Sequence, residues 1–479
     1  MQLTISQIAA FSQAQTVVAA ADPQTTVEQL AWDSRKLQPD LPALFIALPG
    51  ESTDGNNFLI EALNNGAAAV IATRPPTEAE RQAARLKGAA LLQAEDGQAA
   101  LQRLATHYRD TLSARVIGIT GSSGKTSTRL YVCAVLEQAF STVASQANHN
   151  NEIGLPATVL AASPHTEALI VEMAMRGLGQ IADLCEIAQP QLGIITNIGP
   201  AHLELLGSMD NIARAKAELI EALPNTSGIA ILNGDDPYTP QLRQTAQTQQ
   251  RGIPVILFGL ALHNDIRAEH IAYDNQGNAS FDLWFLDAQP RRVQLQAPGR
   301  HSIYNALAAA ATGVALGLQP QQIVAALEQV SAAPMRQTHY TLTDGTLLID
   351  DTYNANPDSM AAALDVLSHL DPARPHIAVL GDMGELGARR EELHAQVGAA
   401  AWHSGIDVLL TMGELAKHYA QGAKQAGMDA SAIIGCTRCE EAARALAPYR
   451  EAEPKPIILV KASRFMGLER LIALLKETD

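Results

Sequence analysis

Short apolar runs of roughly four to eight residues recur along the chain, with amphipathic, Ala-rich stretches between most of them. A continuous apolar run of that length reads as a strand buried on both faces. Alternation of such runs with helices reads as a parallel sheet covered on both sides. Three segments separate on this pattern. Residues 1–114 contain the run Ala43–Leu48, then Asn57–Thr73 (a helix followed by a buried strand), the run Ala89–Leu92 and a helix over Gly97–Tyr108, together a small α/β unit. Residues 115–333 open with a strand over Val116–Thr120 and a Gly-rich turn, followed by strand-like runs at Ala168–Met173, Leu192–Gly199, Gly228–Asp236 and Val255–Gly259. The stretch 265–295 alternates apolar and polar positions instead, which predicts an antiparallel appendage. Residues 334–479 return to strands and helices, with strands predicted over Leu347–Tyr353, His376–Met383, Val408–Gly413 and Ile457–Ser463. Several end in polar residues or Gly, and ligands of open α/β sheets lie at the carboxyl ends of strands. His301–Leu327 is the longest charge-free stretch; it is Ala-rich and contains Gln, Asn, Gly and Pro, so it reads as a buried helix and not as a membrane span.

Composition agrees with three domains. The length of 479 residues corresponds to about three units at roughly 150 residues each. Hydrophobic residues at 47% and charged residues at 18% exclude a disordered chain, and only 4% aromatics means aliphatic cores. Lys and Arg number 34 against 50 Asp and Glu, a formal charge of −16. That excludes a nucleic-acid footprint spread over the surface and leaves room for a local basic pocket that takes a nucleotide. The cysteines are Cys133, Cys185, Cys436 and Cys439, too few for a disulfide scaffold. Cys436 and Cys439 form a C-x-x-C without the second ligand pair a zinc site needs, and read as two small residues near a helix start, with a thioredoxin-like motif formally open. The first basic residue is Arg35, so no secretory signal is read and a cytoplasmic protein is expected.

The strongest local signal is Gly118–Ser127, GITGSSGKTS, between a strand and a helix. Its turn, Thr120, Gly121, Ser122, Ser123 and Gly124, is a candidate phosphate cradle. Ile119 stands where the strict P-loop pattern has Gly, but Gly121 and Gly124 still let backbone N–H groups close around phosphate oxygens. The helix N-terminus adds partial positive charge, Lys125 reaches the outer phosphates and the Thr126 hydroxyl suits Mg²⁺. A phosphate loop alone indicates a nucleotide-triphosphate enzyme, not which one. Glu172 ends one predicted strand and His202 follows another, so a parallel sheet would bring both to the edge that carries the loop, where they could hold a second divalent ion; Lys216 lies on a predicted helix. Taken singly, these three read better as a strand-end acid, a loop histidine and a solvated lysine.

Seven stretches occur in one order: GITGSSGKTS, NHNNEIGLP (148–156), EMAMRGLGQI (172–181), NIGPAHLELLGS (197–208), AKAELI (215–220), APGRHSIYNALAA (297–309) and LIDDTYNANPDSM (348–360). Together they resemble the Mur ligase family, ATP-dependent amide ligases of peptidoglycan precursor assembly. Residues 32–72 are similar to the family's UDP-sugar domain. The pattern departs at Pro42 and Ala43, at Asn56 and at Ala174. The resemblance implies a small α/β UDP-sugar domain (1–114), a central P-loop parallel-sheet ATPase domain (115–333) and a C-terminal Rossmann-like α/β domain (334–479). NNEIG and DDTYNANPDSM resemble the branch that adds D-alanyl-D-alanine to UDP-N-acetylmuramoyl-tripeptide through an acyl phosphate.

The roles that the resemblance implies are these. Glu172 and His202 hold a second Mg²⁺ bridging the γ-phosphate and the acyl phosphate, and Lys216 matches a lysine that is carbamylated in the family. His301, Asn305 and Arg336 contact the nucleotide, and Asp350 orients ATP or Arg336. Asp351, Tyr353, Asn354 and Asn356 receive the dipeptide. Ser34 and Arg35 contact uracil or diphosphate, with an N-capping Ser beside a surface Arg as the competing view. Asn150 and Asn151 contact the muramoyl-peptide. The domains should close around the acyl phosphate to keep water away. The expected protein is a monomer that binds its two substrates, ATP and Mg²⁺, with no nucleic-acid partner. The alternatives are folylpolyglutamate synthetase, for which residues 32–72 are unexpected, a family member that adds a single amino acid, and, from another class, a regulatory ATPase.

Overall fold

In the computed structural model, which describes residues 1–50, 53–146, 148–286 and 289–477, the strands form three larger sheets and one small pair. Positions 51–52, inside the stretch 32–72, and 287–288, inside the stretch 265–295, lie outside the described residues.

The first sheet has five strands in the order Gln15–Val18, Ala90–Gln93, Ala67–Ala72, Ala43–Ile46, Gln29–Ala31, parallel except for the first pair. The apolar runs at 43–48, 67–72 and 89–92 form its interior, as the pattern predicts. Gln15–Val18 and Gln29–Ala31 carry no continuous apolar run because they lie at the edges, where one side meets water.

The second sheet has nine strands. Its parallel part runs Ile266–Tyr273, Val255–Gly259, Ile229–Asn233, Leu192–Ile195, Arg115–Thr120, Ala168–Glu172, Thr142–Ala144. Asn278–Phe285 and Arg291–Pro298 extend it in antiparallel fashion, and strict alternation of buried and half-buried residues over Asn278–Phe285 is the predicted appendage. The chain leaves Arg115–Thr120 toward one edge, returns, and continues on the other side through Leu192–Ile195. This is a topological switch point, where the loops after neighbouring strands part and leave a crevice.

The third sheet has six strands in the order Thr338–Thr341, Leu347–Asp351, Ile457–Lys461, His376–Gly381, Val408–Met412, Ile433–Cys436, parallel except for the first pair. The four apolar runs of the third segment are its four inner strands. The two edge strands are half-exposed and lack that signature.

Two expectations need correction. The single helix expected over His301–Leu327 is two helices, Arg300–Ala315 and Pro320–Leu327. Gly317 takes the left-handed conformation between them, and Pro320 starts the second at the position where a missing N–H costs nothing. The strand expected through Gly199 stops at Ile195, because the residues after it turn to bind the phosphate loop. The cores are aliphatic and Ala-rich, and Arg300–Ala315 packs on Lys125–Leu136. The cysteines are free, with Cys439 opening the helix Cys439–Glu451. Among the described residues no helix is long and apolar enough to cross a membrane.

Candidate active site

The turn 121–124 is shaped by contacts that exclude a side chain. Gly121 has φ +150°, and a Cβ there would collide with the Thr196 hydroxyl. Gly124, at φ +78°, precedes the helix Lys125–Leu136 and faces Asn305 Oδ1. The loop is tied to the residues after Leu192–Ile195. Ser122 Oγ donates to Gly199 O at 2.9 Å and accepts from Gly199 N–H at 2.8 Å, while Asn197 Oδ1 accepts from Ser123 N–H at 3.0 Å. Thr196 Oγ donates to Ser123 O at 2.6 Å, and Thr120 Oγ donates to Met173 O at 2.8 Å. The cradle is therefore tied to both flanking strands, by side chains that follow Leu192–Ile195 and by the backbone carbonyl of Met173.

Lys125 Nζ donates to Gly121 O at 2.7 Å. Burial lowers its pKa to about 8; Glu172 opposes this and Arg336 adds to it. The Thr126 hydroxyl donates to Glu172 Oε2 at 3.1 Å and accepts from Arg336 Nη2 at 3.2 Å. Glu172 Oε1 accepts from Arg129 Nε at 2.6 Å, and Glu172 is 1% exposed. Lys216 is buried on Met209–Glu221, and its Nζ has no hydrogen-bond or ion-pair partner among the described residues. Burial, reinforced by the charge of Lys125, drives its pKa well below the usual lysine value.

Glu172 and His202 do not form one cluster here. His202 adopts a left-handed φ of 60° before the short helix Leu203–Leu206, and its Nδ1 abuts the carboxylate of Glu385 from the third sheet's loops. Among the described residues there is no group of three or more His, Cys, Asp or Glu side chains able to hold a metal. The Thr126 hydroxyl and the Glu172 carboxylate do adjoin each other, and they are hard oxygen donors of the kind Mg²⁺ takes.

A cleft of about 870 Å³ opens between this edge and the third sheet. From the second segment it is lined by Ser122, Ser123, Gly124, Lys125 and Thr126, by Asn150 and Asn151, and by His202, His301 and Asn305. Arg336, Asp351, Tyr353, Asn354 and Asn356 face it from the third. Thr120, Gly121, Glu172 and Lys216 stand behind its wall, as does Asp350, whose Oδ1 accepts from Thr352 Oγ at 2.6 Å. Arg336 is fixed by its guanidinium lying 4.0 Å from the Tyr353 ring centroid, and Tyr353 Oη contacts Asn148 Oδ1. Asn305 Oδ1 accepts from Thr128 Oγ at 2.9 Å. His301 Nδ1 is buried without a partner, and burial, then Lys461, pulls its pKa to about 4. Asp351 pairs with Lys461 at 2.8 Å; burial raises the Asp351 pKa against that pairing. Asn356 caps the helix Pro357–His369 by accepting from Ser359 N–H, and Asn151 Oδ1 accepts from Gly154 N–H at the head of Gly154–Ala161.

Ser34 and Arg35 lie away from the cleft lining. Ser34 Oγ donates to Glu61 at 2.8 Å and the exposed Arg35 pairs with Asp33. The cap at this turn is Asp33, not Ser34. Sequence reading missed Arg129, Lys461, Asn197 and Glu385. Arg129 stands four residues after Lys125, one helical turn on, and Lys461 lies near the carboxyl end of the strand predicted over Ile457–Ser463, so both carried a usable signal. Glu385 lies in a loop and carried none.

Family models match along most of the chain: residues 26–109 as Mur ligase family, catalytic domain; 119–313 as Mur ligase middle domain; and 335–464 as Mur ligase, glutamate ligase domain. The chain belongs to the Mur ligase family. This Mur ligase is 37% identical to the UDP-N-acetylmuramoyl-tripeptide--D-alanyl-D-alanine ligase of Mycobacterium bovis, over 98% of this chain and 96% of that one. It superimposes on MurF from Acinetobacter baumannii with a TM-score of 0.87 at 30% identity, covering 100% of this chain and 99% of that one. MurF from Thermotoga maritima, in complex with ADP, gives a TM-score of 0.79 at 27% identity, covering 94% and 97%.

Proposed function

We propose that this Mur ligase joins D-alanyl-D-alanine to UDP-N-acetylmuramoyl-tripeptide in the cytoplasm, at the cost of ATP. The observation that carries the reading is the single cleft in which a phosphate loop at a switch point faces Arg336 and the polar strand ends of the third sheet. The named relatives and their near-complete coverage support the choice of substrates, and the match over 26–109 favours it over folylpolyglutamate synthetase.

In the first step the tripeptide's terminal carboxylate attacks the γ-phosphorus, the bond to the β-γ bridging oxygen breaks, and ADP leaves with an acyl phosphate formed. In the second the dipeptide's amine attacks the acyl carbon, inorganic phosphate departs and the amine loses its proton. Two anions must approach in the first step, so positioned positive charge does most of the work. The N–H groups of 121–124 and Lys125 receive phosphate oxygens. Arg336, held flat on Tyr353, brings a planar donor fork across from the third segment. Thr126 and Glu172 would hold Mg²⁺, which would neutralise charge on the phosphates, and His202 offers a further donor from the wall of the same cleft. Desolvation favours the neutral amine at Lys216, the form that adds CO₂ to give a carbamate. Asp351 suits the dipeptide's ammonium, and the amides of Asn354 and Asn356 its carboxylate.

The test measures phosphate release and product mass together. UDP-muramoyl-tripeptide, D-alanyl-D-alanine and Mg·ATP should yield one ADP per pentapeptide. Release that depends on folate and glutamate, or none with both muramoyl-peptide and dipeptide present, would overturn the assignment.

A further inference from the structure

Glu385 is set in an unusually determined loop. The strand His376–Gly381 ends, and the next three residues are each anchored. The Asp382 carboxylate accepts from Glu414 N–H at 2.8 Å, and its carbonyl accepts from Ser463 N–H at 3.1 Å. Met383 N–H donates to His394 Nε2 at 3.0 Å, and His394 is itself oriented by Nδ1–H donating to Arg390 O at 2.6 Å. Gly384 N–H donates to Ser463 Oγ at 2.9 Å. The fourth residue, Glu385, crosses to the second segment, where its carboxylate lies against His202 Nδ1 without completing a hydrogen bond to it, and its carbonyl accepts from Glu204 N–H at 3.3 Å. Gly387 packs on Glu204, with room for a Cβ only 3.1 Å from Glu204 Cα. Both His202 and Glu385 have φ 60°. Left-handed conformations at residues other than Gly cost about 1–3 kcal/mol each and persist where the surroundings over-determine them. Two such residues meeting at one contact is therefore a built arrangement.

A carboxylate on one imidazole nitrogen places the proton there and leaves the other nitrogen as a lone pair. His202 lines the cleft beside the phosphate loop. We propose that Glu385 is the positioning residue for His202: a small turn of the ring brings Nδ1–H onto the adjoining carboxylate, which fixes the tautomer and leaves Nε2 as the acceptor offered to the cleft. Because Glu385 belongs to the third sheet, His202 is set correctly only when that segment is seated. The proposal rests on the ligase reading, which gives His202 its role.

The full-length chain is compared with Glu385→Ala and Glu385→Gln, the latter keeping an oxygen that accepts from Nδ1–H. Long-range ¹⁵N spectra of the imidazoles are recorded at mildly alkaline pH without substrates, the His202 signal being identified by its loss in His202→Asn. The wild type and Glu385→Gln should show the Nδ1–H form, and Glu385→Ala a mixture. In steady state Glu385→Ala should lower kcat by about 10–100-fold with the KM for ATP little changed, and Glu385→Gln should recover most of the loss. A wild-type His202 with its proton on Nε2, or an unchanged His202 signal in Glu385→Ala, overturns the proposal, as do equal kcat losses in both variants. If the wild type makes no pentapeptide, the ligase reading fails on its own, and the spectra still decide what Glu385 does to His202.

Discussion

Replacing Arg129 by Met tests how the charge behind the phosphate loop is kept in place. The side chains of Arg129 and Glu172 are 11% and 1% exposed, and the pair closes at 2.6 Å. Methionine keeps much of the apolar stem and removes the guanidinium. Glu172 would retain the Thr126 hydroxyl and the nearby charge of Lys125. Removing one partner of a buried pair costs about 3–5 kcal/mol, and these residual contacts place the loss near the lower end, at about 3 kcal/mol. For a cooperative unit of roughly 150–250 residues, 1 kcal/mol lowers Tm by about 2–4 °C, so the transition should fall by about 6–12 °C. The assay is calorimetry in metal-free, nucleotide-free buffer, with a urea titration as a second measure. Adding Glu172→Gln to Arg129→Met should restore stability, because no unpaired charge remains, with a coupling on the order of 1–3 kcal/mol. Mg²⁺ should raise the Tm of Arg129→Met more than that of the wild type, since the freed carboxylate is then open to it. An Arg129→Met chain within about 1 kcal/mol of wild type, or a double variant less stable than the single one, would refute the reasoning.

Three further outcomes follow from the same geometry. Lys125→Met should lower the rate of phosphate release by about 10²–10³-fold, the usual consequence of losing one preorganised donor to developing charge, and a loss under tenfold would remove Lys125 from the role given to it. Burial lowers the folded-state pKa of Lys216, so the unfolded chain binds more protons across the window from that lowered value up to the ordinary lysine value. Wild-type stability therefore rises with pH through that window, and Lys216→Met should be inactive, more stable at neutral pH and flatter in its pH profile; a lower Tm than wild type at neutral pH would contradict this. Gly121→Ala forces the Thr196 hydroxyl off Ser123 O and should cost about 2–4 kcal/mol together with nucleotide binding, read by thermal melts and calorimetric titration.

What could be read along the chain was what depends on local pattern. Runs such as Ala168–Glu172 and Ile457–Lys461 are buried on both faces, so their composition alone marks them as inner strands. Thr26–Val27, Thr338–Thr341 and Ile433–Cys436 escaped because an edge strand needs only a neighbour's backbone, which leaves no apolar signature. Within the site, the phosphate loop was legible because its chemistry lies in consecutive residues. Arg129 and Lys461 act through partners 43 and 110 positions away, Glu172 and Asp351, and Glu385 pairs with His202 from a different sheet. Pairings of that kind are properties of the fold. A motif displays one member and hides the other.

The hidden members have a common purpose. Glu172 and Asp351 stand where water is scarce, and a charge there is tolerable only with a partner, while His202 is half-buried against Glu385. Each partner comes from a different element: Arg129 from the helix that follows the phosphate loop, Lys461 from the strand beside Asp351, and Glu385 from a loop that spans two sheets. Lys216 differs, being buried with no partner among the described residues and with its charge disfavoured by Lys125. A site that gives three ionisable groups a partner and leaves a fourth side chain as an amine has separated structural charge from reactive nitrogen. The Lys216→Met profile and the Arg129→Met melt probe opposite halves of that separation: removing the amine should relieve the fold, whereas removing the guanidinium should strain it.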